Sequence, residues 1–179
     1  MGKNVVVLSG SPRKGGTTDR LVDAFAEGAA GSERVVSVFR VADMEIGGCL
    51  GCNHCFRETG VCARKDGMGS VLEELRKADV LVFASPVYYF GVSSQLKAAV
   101  DRMYALMKEG MRVKRAALLM TCGDDTDAAA APSIAMFRRV FAYMRWEEAG
   151  IVVTPRLHEP SDIEGREELE RAKNLGRNI

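Results

Sequence analysis

Four of the five cysteines lie close together in one stretch of the chain, at Cys49, Cys52, Cys55 and Cys62, with the spacing C-x2-C-x2-C-x6-C. Cysteines three residues apart can curl the backbone around a metal centre, and three in succession can reach three irons of a cubane cluster. Cys62, on a short return that contains Gly60, can supply the fourth thiolate. Structural zinc more often uses two separated C-x2-C pairs. The run therefore favours a [4Fe-4S] cluster, with zinc and metal-free thiols as alternatives.

A second group of residues suited to chemistry follows the first apolar run. Three glycines, four hydroxyls and two cations occur in the ten-residue loop Ser9, Gly10, Ser11, Pro12, Arg13, Lys14, Gly15, Gly16, Thr17 and Thr18. Glycines let backbone N–H groups turn inward, and a guanidinium can donate to two oxygens at once. The helix that follows adds the positive end of its dipole. The loop predicts a phosphate site, and the alternative is a surface turn in which Thr17 or Thr18 caps the helix.

The spacing within this loop narrows the kind of phosphate. From Gly10 to Thr17 the residues follow G-x-x-x-x-G-K-[ST], except that Gly16 stands at the lysine that would reach the β- and γ-phosphates of a nucleotide. The G-x-G-x-x-G spacing of dinucleotide-binding folds is absent as well, because Ser11 and Pro12 follow Gly10. A terminal monophosphate therefore fits best.

An aromatic segment after the third apolar run, S-P-V-Y-Y-F-G-V, offers a place for a flat ring. Pro86 stiffens the backbone there, and Gly91 permits a close approach of backbone to ligand. The rings of Tyr88, Tyr89 or Phe90 can cover a planar group. The alternative is that these aromatic side chains pack beneath the helix that follows.

The elements that must position these loops alternate between short β-branched runs and longer helical patterns, which is typical of a doubly wound parallel sheet. We predict five strands, at residues 4–8, 34–41, 79–84, 116–121 and 150–154. We predict five helices, around residues 21–29, 71–75, 95–107, 134–144 and 165–175, the last closed by Gly176. Ligands bind such sheets beyond the carboxyl ends of the strands. The predicted site therefore lies in the loops after strands one, three and four.

Composition limits the class of protein. The 179 residues suffice for one α/β domain, which we expect over 1–179 with a cysteine-rich insertion at about 45–66. Because 25 Lys and Arg balance 24 Asp and Glu, nucleic acid is not an expected partner. No apolar run approaches the roughly 18 residues that cross a bilayer, so no membrane is expected. Met1–Lys3 lead into the first strand without a secretory signal, and we expect a cytoplasmic protein.

The motifs together resemble a known family. Residues 10–18 and 86–102 match G-S-P-R-x-x-G-x-T and P-V-Y-x4-S-x2-L-K-x3-D-R, which are similar to two flavin-binding loops of the NADPH-dependent FMN reductase group of flavodoxin-like proteins. The cysteine run resembles that of the iron–sulfur flavoproteins, a branch that carries FMN and a [4Fe-4S] cluster. This resemblance covers nearly the whole chain. It implies a flavodoxin-like parallel sheet in the order 2-1-3-4-5, with helices on both faces.

The resemblance also implies which residues would bind each cofactor. The FMN phosphate would be held by the first loop, at Ser9, Ser11, Pro12, Arg13, Gly16, Thr17 and Thr18. The ring would be surrounded by Pro86, Val87, Tyr88, Tyr89, Phe90 and Gly91, and by Thr121, Cys122 and Gly123. The cluster would be held by Cys49, Cys52, Cys55 and Cys62. We expect His54 to be exposed or beside the ligands, and His158 to be structural.

The implied activity is that of a flavin-dependent oxidoreductase. FMN accepts a hydride and releases single electrons, so with the cluster it would connect ferredoxin or NAD(P)H to a small-molecule acceptor. Hydride transfer requires no general acid or base, and we nominate no catalytic residue. The alternatives are a cluster-free NAD(P)H-dependent reductase of flavins, quinones or nitro compounds, a flavodoxin-like electron carrier, and a cysteine-based redox or metal sensor. A homodimer or homotetramer is typical of the family.

Overall fold

The computed structural model describes residues 3–31, 34–58 and 60–179, and a parallel β-sheet forms its centre. The strands are β1 Lys3–Ser9, β2 Arg34–Arg40, β3 Val80–Tyr88, β4 Gly91–Val92, β5 Arg115–Thr121 and β6 Glu147–Thr154. Five of them run parallel in the order β2-β1-β3-β5-β6, while β4 pairs antiparallel with the end of β3. The predicted order is confirmed. Met1 and Gly2, before the first strand, and Thr59, inside the predicted insertion, lie outside the described residues.

Helices cover both faces of the sheet, as predicted. They are α1 Thr17–Ala29, α2 His54–Arg57, α3 Met68–Lys77, α4 Ser94–Arg102, α5 Ala131–Met144 and α6 Glu167–Arg177. Helices α1 and α6 share one apolar core with Val5 and Val7, and helices α3, α4 and α5 share the other with Val6 and Leu8. Because β1 is buried on both sides, its sequence is a continuous apolar run. In the described part of the chain, no helix is long and apolar enough to span a membrane.

The predicted count of five strands is wrong, because the described residues form six. The sixth, β4, is only two residues long, and its pairing of Val87 with Val92 extends β3 beyond the predicted end at Ala84. Two residues carry no periodicity, so the pattern gave no sign of this hairpin. The predicted helix 95–107 also ends early, since α4 gives way to a 3-10 turn at Met103–Leu106.

Helices α1 and α6 approach each other so closely that only glycine fits at two positions. A Cβ added at Gly28 would lie 1.9 Å from the carbonyl oxygen of Lys173, and one at Gly176 would lie 2.1 Å from that of Phe25. Gly176 lies inside α6, where the absence of a side chain permits this contact. The sequence predicted instead that Gly176 ends the helix.

We expect Gly28→Ala to lower the free energy of unfolding by about 3 kcal/mol, because the methyl group meets backbone rather than a movable side chain. Urea unfolding followed by circular dichroism measures this. Gly69→Ala in α3 is the matched control, since nothing lies within 4 Å of its Cβ position, and it should leave stability unchanged or raise it by up to about 1 kcal/mol. Equal stability of the two variants would show that α1 and α6 can move apart.

Candidate functional site

A cleft of about 270 Å³ opens at the carboxyl edge of the sheet. The carboxyl ends of parallel strands meet at this edge, and the walls are formed by the last residues of β3 and by the segments that follow β1, β5 and β6. Eleven of the predicted FMN-binding residues line the cleft, namely Ser11, Arg13, Gly16, Thr17, Thr18, Pro86, Val87, Tyr88, Thr121, Cys122 and Gly123. The structure thus brings together the three loops that the sequence predicted.

Hydrogen bonds tie the loop after β1 to the loop after β3. The Gly10 N–H donates to the carbonyl of Ala84 at 2.9 Å, and the Ser93 hydroxyl donates to the carbonyl of Gly10 at 2.7 Å. The Ser93 N–H in turn donates to the Ser85 hydroxyl at 2.9 Å. A Cβ at Gly10 would lie 2.5 Å from that of Leu96, so only glycine permits this approach of α4.

The N-terminus of α1 faces the cleft without a side-chain cap. Gly16 is the N-cap residue, and the first bond of the helix runs from the Arg20 N–H to its carbonyl. The N–H groups of Thr17, Thr18 and Asp19 consequently have no acceptor among the residues that the structure describes. The predicted alternative, in which a threonine caps this helix, is wrong because both threonines lie inside α1.

Charged side chains behind the loop hold it in place. Arg40, at the end of β2, donates to the carbonyl of Ser11 at 3.3 Å and pairs with Asp19. The Asp19 carboxylate accepts the Gly15 N–H at 2.7 Å. Thr18 is fixed from the other side by a buried bond of 2.8 Å between its hydroxyl and that of Thr121. No sequence motif marks Arg40 for this role, because its contacts depend on β2 lying beside β1.

The remaining predicted FMN-binding residues lie off the walls of the cleft. Tyr89 is fully exposed and Phe90 is 58% exposed, because they form the turn between β3 and β4, with φ of 51° and 65°. Positive φ at both positions is typical of two-residue hairpin turns. Gly91 pairs with Tyr88 across this hairpin. Ser9 is buried at the end of β1, and Pro12 is exposed.

The fourth wall, residues 157–160 after β6, was not among the predicted loops. The Leu157 N–H donates to the carbonyl of Cys122 at 3.0 Å, which joins this loop to the one after β5. The Asp162 carboxylate accepts the N–H groups of Glu159 and His158, both at 2.8 Å, and these bonds lower the pKa of Asp162. His158, expected to be structural, lies on the cleft wall. The sequence signal that could have placed His158 in the cleft is its position after the carboxyl end of a strand.

Cys122 lines the cleft as a thiol. Burial raises its pKa, so the thiol is protonated at neutral pH, and it donates to the carbonyl of Thr126 at 3.7 Å. A buried protonated thiol is a poor nucleophile. Cys122 therefore serves as part of the wall of the cleft.

The four loop cysteines line a second cavity, of about 340 Å³. Cys49 and Cys52 are exposed, while Cys55 and Cys62 are half-buried. Gly51 and Asn53 have φ of 63° and 54°, which turns the backbone between the cysteines. Within the described ranges, no three His, Cys, Asp or Glu side chains converge on a position for one metal ion. The thiols therefore border a space instead of meeting at a point.

A buried ion pair closes the cysteine loop. Arg102, at the end of α4, donates to both oxygens of Asp66 at 2.8 and 2.9 Å and to the carbonyl of Gly47 at 2.8 Å. Asp66 also accepts the N–H groups of Gly47 and Met68, both at 3.2 Å. The Arg102 guanidinium, followed by these N–H groups, holds the pKa of Asp66 well below its usual range. The pair thus clamps both ends of the loop to α4.

We expect Asp66→Asn to lower the free energy of unfolding by about 3 kcal/mol, because it leaves the Arg102 charge buried and uncompensated. Urea unfolding at pH 7 measures this. Glu74→Gln, which breaks the exposed pair with Lys77, is the control and should leave stability unchanged. A loss as small as that of the control would show that solvent reaches Arg102.

The same pair predicts a loss of stability in acid. Because folding lowers the pKa of Asp66 from its ordinary 3.8, the carboxylate's contribution is complete above that value and disappears as the pH falls through the folded pKa. The stability difference between the wild type and Asp66→Asn should therefore shrink below about pH 4. Urea titrations at a series of pH values test this, and a constant difference would contradict it.

Residues 3–146 match the family model of the NADPH-dependent FMN reductases. An iron–sulfur flavoprotein of Methanocaldococcus jannaschii is 39% identical over 98 residues, which are 55% of this chain and 50% of that protein. A Bacillus subtilis protein that bears the name of an NAD(P)H-dependent FMN-containing oxidoreductase is 26% identical over 167 residues, 89% of this chain and 88% of the relative. The match thus spans about half the length of the iron–sulfur relative and most of the Bacillus protein.

Among solved structures, an oxidoreductase shows the same fold. The NAD(P)H:quinone oxidoreductase from Methanothermobacter marburgensis superposes with a TM-score of 0.76 over 99% of this chain and 96% of that one, at 20% identity. The predicted flavodoxin-like architecture is confirmed by this likeness and by the strand order.

Proposed function

The chain belongs to the NADPH-dependent FMN reductase family, and from this premise we propose that it is a flavin-dependent oxidoreductase that binds FMN in the cleft at the carboxyl edge. The observation that carries the proposal is the uncapped N-terminus of α1 at one end of that cleft. Its free N–H groups and helix dipole suit a phosphate, and Arg13 adds a charged donor.

The donor set fits the FMN phosphate in its chemistry. The Ser11 hydroxyl and the Thr17 and Thr18 N–H groups are donors, which a phosphate with several acceptor oxygens requires. A Cβ at Gly16 would lie 3.1 Å from the Arg13 carbonyl oxygen, so a larger residue would crowd the turn before the helix. The turn that presents these donors therefore needs a small residue at position 16.

The other loops would orient the ring. Pro86 restricts the backbone at the end of β3, and the Thr18–Thr121 bond fixes the loop after β5 relative to α1. FMN, when bound, supplies hydride acceptance and the release of single electrons. In this proposal the chain holds the phosphate and borders the ring with Pro86 to Tyr88 and Thr121 to Gly123. It leaves the cleft open to a small acceptor.

We expect Arg13→Gln to weaken FMN binding by about tenfold to a hundredfold, because a charge-assisted hydrogen bond to the phosphate is lost. Fluorescence titration of the flavin-free protein measures this, with riboflavin as the second ligand. Riboflavin has no phosphate, so its affinity should not change.

Lys14→Gln is the matched control, since Lys14 is an exposed neighbouring cation that pairs with Asp43 and does not line the cleft. Its FMN affinity should remain close to that of the wild type. Equal weakening of FMN and riboflavin in Arg13→Gln would place the phosphate elsewhere.

We propose further that the four loop cysteines hold a [4Fe-4S] cluster. In such a cluster each iron takes one thiolate, so the sulfurs surround a volume, and the described thiols border a cavity of about 340 Å³. A zinc ion would instead require four ligands at about 2.3 Å from one point. The name of the Methanocaldococcus relative supports the same proposal.

Helix α4 would connect the two cofactors. Its N-cap Ser93 contacts the phosphate loop through Gly10, and its last residue, Arg102, lines the cysteine cavity. Nine residues at 1.5 Å each span about 13 Å. We propose that electrons from ferredoxin or NAD(P)H pass between these sites to a small-molecule acceptor.

A cluster-free NAD(P)H-dependent reductase is the second candidate. The observation that favours it is the match to the Bacillus oxidoreductase over 88% of its length, whereas the match to the iron–sulfur relative covers only half of that protein. Steady-state oxidation of NAD(P)H with a quinone acceptor distinguishes the two. An iron-free flavoprotein that retains this activity would support the second candidate.

For the cluster proposal, we expect protein purified without oxygen to contain about four irons per chain, and Cys52→Ser to lose most of this iron. Iron and acid-labile sulfide analysis, together with the absorption spectrum, measures both. Cys122→Ser is the control, because Cys122 lies outside the cysteine cavity and its loss should leave the iron content unchanged. Flavin without iron in the wild type would contradict the cluster, and protein with neither would contradict both proposals.

A further inference from the structure

Arg102 has a donor that the clamp on the cysteine loop does not use. Its side chain is 1% exposed, and its two terminal nitrogens donate to Asp66 and Gly47. The Nε–H is also buried, and it finds no hydrogen-bond acceptor among the described residues. Buried donors are nearly always bonded in folded proteins, so this N–H group requires an explanation.

The unused donor belongs to a side chain that lines the cysteine cavity. Arg102 and Cys62 both border this cavity, while Asp66 does not. The positive end of the ion pair is therefore the end that faces the thiols.

We propose, on the basis of the proposed cluster, that Arg102 is a positioning residue that directs its Nε–H and its positive charge at the Cys62 corner of the cluster and so raises the cluster's reduction potential. Reduction adds one electron, with no bond formed and no proton moved. The reduced cluster is one charge more negative, and a buried hydrogen-bond donor stabilises it more than the oxidised form.

Other charged residues at this cavity are less able to act in this way. The Arg64 side chain is 37% exposed and that of Asp101 is 45% exposed, so solvent screens both charges. Arg102 is thus the buried cation that the cluster would meet.

The test is a potentiometric titration of the cluster, followed by electron paramagnetic resonance, on the full chain. Arg102→Lys keeps a positive charge beside Asp66 but loses the Nε–H. We expect this variant to lower the equilibrium constant for reduction of the cluster at least tenfold, which is a shift of the reduction potential by about 59 mV to more negative values. Asp66→Asn removes the compensating negative charge, so it should shift the potential to more positive values. Asp101→Asn, which removes a charge at an exposed position of the same cavity, should cause no shift.

The opposite signs separate the proposal from a merely structural role, since Arg102→Lys and Asp66→Asn both weaken the same clamp. Shifts in the same direction, or no shift, would overturn the inference. If Arg102→Lys does not fold, the sign of the Asp66→Asn shift decides alone, and a shift that is not positive overturns it. The iron count is measured independently: wild-type protein without four irons overturns the proposed cluster and this inference together, whereas a full cluster with an unmoved potential overturns the inference alone.

Discussion

The buried ion pair between Arg102 and Asp66 fixes the segment that carries the four loop cysteines. A buried pair adds little net stability compared with apolar residues of equal volume, and its effect is on geometry. Both oxygens of Asp66 are bonded to donors from Arg102, Gly47 and Met68, which leaves the segment few other arrangements. Because Arg102 ends the helix whose N-cap contacts Gly10, the cleft and the cysteine cavity are positioned by one helix.

Much of the fold follows from local patterns in the sequence. The apolar run of β1 and the spacing of Leu21, Val22 and Phe25 depend only on neighbours in the chain, and the structure shows the strand and the helix that they indicate. The glycines and hydroxyls of the loop after β1 are also local, and half of the ten residues at 9–18 line the cleft. The rule that ligands bind at the carboxyl ends of parallel strands then places three loops together.

What the sequence could not show depends on residues far apart in the chain. Arg102 and Asp66 are 36 positions apart, and neither type of residue indicates its partner. The turn at Tyr89 and Phe90 has positive φ, for which Gly and Asn are the usual signals, so aromatic residues there gave no sign of a hairpin. The loop after β6 was not predicted to line the cleft, because it has no recognisable motif. Its position after the carboxyl end of a strand indicates a binding site as strongly as the same position does for the loops that were predicted.

The contact between α1 and α6 joins helices from opposite ends of the described chain, as the pairing of Glu27 with Lys173 across 146 positions shows. Synthesis of the chain therefore completes α1, whose N-terminus faces the cleft, long before α6, which packs against α1. Helix α6 covers part of the apolar face of α1, whose other partners are the sheet and the later residues Leu157 and Ile163. The cleft wall at residues 157–160 also follows β6, so the cleft takes its full form only after this loop has been synthesised.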